Sequence, residues 1–184
     1  MMFRVLFFLA LGVLVVSGSG VGPLAAGAES SAFRLHVRGH SGSGGSLVNI
    51  DVPWDSDKAG SPFNFTAEAC DDIALERLRW AWAALRRMPE GRWVTIENRS
   101  ESIRASRWAG YLVLEPQRHD RDGHHSRIKI PDYIVETILD HDGRLAGRDL
   151  ERLVRERGKV TLVKVNSDVG GVTMWLDRSG DDGD

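Results

Sequence analysis

A chain of 184 residues, 42% hydrophobic and 27% charged, has the composition of an ordinary globular protein, long enough for one domain or two small ones. A formal net charge of −2 argues against a general nucleic-acid binder, which needs a surplus of cations to neutralise phosphates. The single cysteine, Cys70, cannot form an internal disulfide, so the folded part must be held by packing alone. Cys70 itself reads as a small buried hydrophobe beside the first long helix.

The chain starts with one charge at Arg4, an apolar run from Val5 to Val16, and a Gly/Ser/Pro-rich stretch ending in Ala26-Gly27-Ala28. That is the layout of a secretory signal peptide over 1–28, with cleavage expected after Ala28. The rival reading is an uncleaved membrane anchor. Gly18, Gly20, Gly22 and Pro23 weaken it, because they interrupt a helix where it should continue across the bilayer. The expected location is exported: periplasmic, secreted or in the cell envelope.

From Phe33 onward the chain alternates apolar and polar residues. Phe33, Leu35 and Val37 are followed by Val48, Ile50 and Val52 across a Gly/Ser-rich loop, which predicts a hairpin with one apolar face. Pro53 closes it, since proline lacks an N–H and suits a strand end. Residues 54–62 read as irregular. Leu75, Leu78, Trp82 and Leu85 then fall on one helical stripe, predicting a helix over Ala74 to Met88 that ends at Pro89-Glu90-Gly91. Val94 and Ile96 pair with Ile103 and Ala105 in a second hairpin.

The same order then returns. Leu112 and Leu114 pair with Ile128 and Ile130, and Pro131 stands where Pro53 stood. Tyr133 to Leu139 reads as a short helix with no counterpart in the first half. Leu150-Glu151-Arg152-Leu153 repeats Leu75-Glu76-Arg77-Leu78 letter for letter, in a helix expected from Arg148 to Arg157. A last hairpin joins Val163 and Val165 to Val172 and Met174. Self-similarity at this spacing predicts an α+β fold of two tandem β-β-α-β-β pseudo-repeats packed into one compact body of antiparallel hairpins. The first spans 29–109 and the second 110–178, with an acidic tail at 179–184 that has the composition of a disordered segment.

Chemistry-bearing residues are sparse. His119, Asp120, Asp122, His124 and His125 crowd one hairpin loop, and imidazole with carboxylate suits zinc. Their spacing matches no helical metal motif, and a solvated loop tip is the plainer reading. There is no nucleophile elbow, no phosphate-binding loop and no His/Asn arrangement for the one cysteine, so no catalytic residues are assigned.

The tryptophans offer a second candidate. Trp82 belongs to the buried stripe of its helix. Trp80 lies on the flank with Arg87, where it either packs against the second half or meets a partner. Trp175 lies on the opposite strand face from Met174. Trp80, Arg87 and Trp175 are therefore the expected binding surface.

The strand ending in Val52-Pro53 or Ile130-Pro131, the Leu-rich helices, and the closing hairpins Val94 to Ala105 and Val163 to Trp175 resemble a loose group of uncharacterised exported bacterial proteins. The resemblance implies the duplicated fold and no established activity. The expectation is an exported, non-enzymatic binding or structural module whose partner is a macromolecule or envelope component, not nucleic acid. It needs no cofactor. The alternative is a small metal-binding protein or metal-dependent enzyme that holds zinc in the 119–125 loop.

Overall fold

Eight strands and three helices are seen in a computed structural model, which describes residues 32–42, 46–54, 72–97, 102–117, 126–143, 145–168 and 170–178. The strands are β1 (Phe33–Ser41), β2 (Ser46–Trp54), β3 (Trp93–Glu97), β4 (Ser102–Trp108), β5 (Tyr111–Pro116), β6 (Ser126–Pro131), β7 (Val160–Ser167) and β8 (Gly170–Arg178). The helices are α1 (Asp72–Arg87), α2 (Asp132–Asp140) and α3 (Gly147–Arg157). The predicted hairpins and all three predicted helices form within a residue or two of their expected limits. Trp54, expected in the irregular stretch, instead ends β2, buried and opposite Phe33; residues 55–62, the 119–125 loop, Cys70 and the N-terminal segment lie outside the described residues.

The fold is α+β, with the strands in one antiparallel sheet of order β2-β1-β8-β7-β6-β5-β4-β3. The halves are joined edge to edge in two places. The β4–β5 junction is a two-residue turn at Ala109 (φ 50°) and Gly110 (φ 79°), and two left-handed residues give the tight turn that matches strand twist. The second junction pairs β1 with β8 along its whole length, Phe33 opposite Arg178 and Ser41 opposite Gly170.

Strand register puts the apolar residues on one face. Val94, Ala105, Leu114, Ile128, Val165 and Val172 lie opposite one another in a row across six strands. All three helices cover this face, in two adjoining clusters. Ala81, Trp82 and Leu85 of α1 meet the strands from β3 to β6. Ile134 and Ile138 of α2, with Leu150, Leu153 and Val154 of α3, meet β1, β7 and β8. Ile130 and Val163 border both clusters. Each fully buried aliphatic side chain here contributes about 1.5–3 kcal/mol. A bulge between Thr161 and Val163 in β7 keeps Leu162 in this core, at the cost of one ladder position.

Helix ends follow their residues. Gly158 (φ 77°) closes α3, its N–H donating to the carbonyl of Val154. After α2, Gly143 (φ 81°) donates to Ile138 and sits so close to Leu75 that a Cβ there would lie 3.1 Å from it. No helix among the described residues is long and apolar enough to cross a membrane.

Candidate functional site

Because the helices occupy one face, the polar residues of the alternating strands gather on the other. There, among the described residues, cations outnumber carboxylates. Arg34, Arg38, Arg104, Arg127, Lys129, Lys159 and Lys164 stand against Asp51, Asp177, Glu97 and Glu115. The whole chain carries the opposite sign, at −2.

Most of the carboxylates are already committed. His36 lies opposite both Asp51 on β2 and Trp175 on β8. Its Nδ1 is 2.5 Å from Asp51 Oδ1 and its Nε2 is 2.9 Å from Asp177 Oδ1. Both contacts can be hydrogen bonds at once only with one proton more than a neutral imidazole between two carboxylates carries. Trp175 donates from Nε1 to the other Asp177 oxygen at 3.0 Å and stacks on the imidazole, ring centres 4.9 Å apart and 4° from parallel. His36, Trp175 and Asp177 are 7%, 6% and 8% exposed. The network clamps three neighbouring strands, β2, β1 and β8. Among the described residues it acts as a cross-strand staple, two hydrogen bonds and one ring stack joining β2, β1 and β8. Glu115 is held by Arg127 at 2.5 Å.

The cations use aromatic rings instead. Arg38 and Lys159 lie over Trp175 at 5.1 and 4.4 Å, Arg104 over Trp93 at 4.7 Å, and Lys164 over Tyr111 at 5.4 Å. Register then brings three cations into one cross-strand row. Lys129 is directly opposite Lys164, Lys164 opposite Thr173, and Thr173 opposite Arg38. Like charges directly opposite in a sheet repel, so the Lys129–Lys164 pair opposes folding. Neither lysine has a carboxylate partner among the described residues. Beside the row, a polar depression of about 390 Å³ is lined by Glu115, Arg127, Lys129, Asn166 and Asp168, with Gln117 and Ser126 at its margin.

No protein-family model, no curated protein and no solved structure matches the chain.

The three residues expected at a binding surface do not come together. Trp175 is on the helix-free face but is buried under Arg38 and Lys159 and against His36, so its ring offers no free stacking surface. Trp80 and Arg87 lie on α1, which packs over β3 and β4, in the other half of the sheet from β8. Trp80 is 65% exposed, so it does not pack against the second half. Arg87 is exposed at the helix end. His119, Asp120, Asp122, His124 and His125 lie outside the described residues, and no cluster of metal-ligating side chains occurs among those described.

Sequence reasoning passed over His36, Asp51, Asp177, Lys129 and Lys164. Each stands at an ordinary polar position of an alternating strand, and only strand order makes them neighbours. One signal was available: Lys129 and Lys164 both flank apolar residues of strands predicted to belong to the same half.

Proposed function

We propose that this protein is an exported, non-enzymatic binding module, built by duplication of a β-β-α-β-β unit, which meets its ligand on the helix-free face of the sheet. One observation carries the reading. That face presents a row of cations without carboxylate partners among the described residues, including a lysine pair that works against the stability of the sheet. Residues that oppose folding are expected where function requires them.

The strand order supports the duplication. Exchanging β1–β4 for β5–β8 maps each neighbouring pair onto another neighbouring pair, except β6–β7. The counterparts of that pair, β2 and β3, are the two edges of the sheet. The leader-like residues 1–28 support export.

The face is tested by blocking it without changing its charge. Thr173→Trp places a bulky neutral group in the middle of the row. Retention of the purified protein on isolated bacterial cell envelopes should be lost in this variant and kept in Trp80→Ala and Arg87→Ala, with folding of each checked by circular dichroism. Loss in the α1 variants with full retention in Thr173→Trp refutes the reading and moves the surface to α1, where Trp80 is the most exposed aromatic side chain described.

A further inference from the structure

We infer that the occupant of the helix-free face is a linear anionic polysaccharide, a saccharide chain bearing regularly spaced carboxylates, seated along the Lys129–Lys164–Thr173–Arg38 row. This rests on the binding-module reading and names its ligand class.

Charge complementarity comes first. Asp51 and Asp177 are occupied by His36, and Glu115 by Arg127, and among the described residues no ion pair joins a carboxylate to Lys129, Lys164 or Arg38. Arg38 and Lys164 lie over aromatic rings, which attract a cation without cancelling its charge. An added anion would remove the Lys129–Lys164 repulsion, and relief of that repulsion becomes part of the binding free energy.

Shape comes second. The row runs across β6, β7, β8 and β1, and neighbouring strands are about 4.8 Å apart, so the cations are spread over about 14 Å. Lys129 and Lys164 are half-buried, whereas the flanking Asn49 and Asp51 of β2 and Thr95 and Glu97 of β3 are exposed. Arg38, the third cation of the row, is exposed, so the charges form a line one residue wide across four strands, which a single narrow chain can follow. Thr173, within the row, and Asn166, beside it, supply neutral hydrogen-bonding groups suited to hydroxyls between carboxylates. The partly exposed ring of Tyr111, on the strand next to β6, offers apolar area to the C–H faces of sugar rings where Lys164 does not cover it.

The decisive variant is Lys164→Glu. It replaces a repelling pair by an attracting one, so the fold should gain about 1–2 °C in melting midpoint while binding is lost. The probe is polygalacturonate, added to the purified protein at low salt and followed by calorimetry. The expected results are binding that weakens as salt rises, no binding of uncharged dextran, and a loss of at least about tenfold in Lys164→Glu. Arg38→Ala should lose less.

Equal binding of dextran, or unchanged affinity in a well-folded Lys164→Glu protein, overturns the inference. So does equal Lys164-dependent binding to anionic phospholipid vesicles or to duplex DNA, which would make the row a general anion surface. If polygalacturonate fails to bind while Thr173→Trp still abolishes envelope retention, the ligand class falls and the binding face stands. If polygalacturonate binding is lost in Trp80→Ala and not in Thr173→Trp, both fall.

Discussion

Replacing His36 by alanine should destabilise the protein by about 2–5 kcal/mol, a large part of the stability of a domain this size. The bond to Asp177 joins two nearly buried side chains, and a hydrogen bond to a charged partner in that setting contributes about 1.5–3 kcal/mol. The bond to Asp51 is shorter, but that carboxylate is 39% exposed and screened by water, which limits it to about 1 kcal/mol or less. The parallel stack on Trp175 adds about 0.5–1 kcal/mol. Urea unfolding should show a lower midpoint with an unchanged slope, because the same surface is exposed on unfolding. A double-mutant cycle with Asp177→Ala isolates the central contact and should give a coupling of about 1.5–3 kcal/mol. If His36→Ala falls within about 0.5 kcal/mol of the parent, or the coupling is zero, the network does not staple β2, β1 and β8 as described.

Two further outcomes follow from the backbone and from burial. Ala109 is an exposed alanine at φ 50°, a conformation that asparagine or glycine adopts at lower cost, so Ala109→Asn should raise stability by about 0.5–1 kcal/mol in thermal unfolding, and a decrease would contradict the left-handed turn. Burial, the largest influence on Asp132, raises its carboxyl above the ordinary value of 3.8, against the lowering effect of Arg107. A raised folded value means that the stability linked to this group is present below pH 3.8 and lost as pH climbs through the folded value. Asp132→Asn should therefore be more stable than the parent at pH 7, with the gain shrinking as pH falls toward 3; a gain that does not vary with pH would refute the linkage.

Local patterning carried most of the secondary structure. The alternation at Phe33-Leu35-Val37 marks a strand because its apolar side is buried by α2 and α3, and the Leu75-Leu78-Trp82-Leu85 stripe marks α1 because Trp82 and Leu85 reach the sheet. The site was far less legible. His36 and Asp177 are 141 residues apart, and nothing local to either foretells that β1 pairs with β8. Lys129 and Lys164 read as solvated strand residues until register sets them opposite each other. Trp80 misled for the opposite reason: a large aromatic residue on a helix flank is usually covered, yet α1 packs its apolar side chains on the sheet through the stripe containing Ala81, Trp82 and Leu85, and Trp80 is left 65% exposed.

The pairing of the first strand with the last has a temporal consequence. During synthesis β1 cannot acquire its inner neighbour until residues 170–178 have emerged, so the two ladders of β8, with β1 and with β7, zip after those among β3 to β7 can have formed. A ribosome stalled before that point would hold a chain with two unprotected ladders, those of β1 and β7, open to pairing with other molecules. Removing the nine residues of β8 would leave the finished molecule with the same two vacant edges, each a template for pairing with another chain.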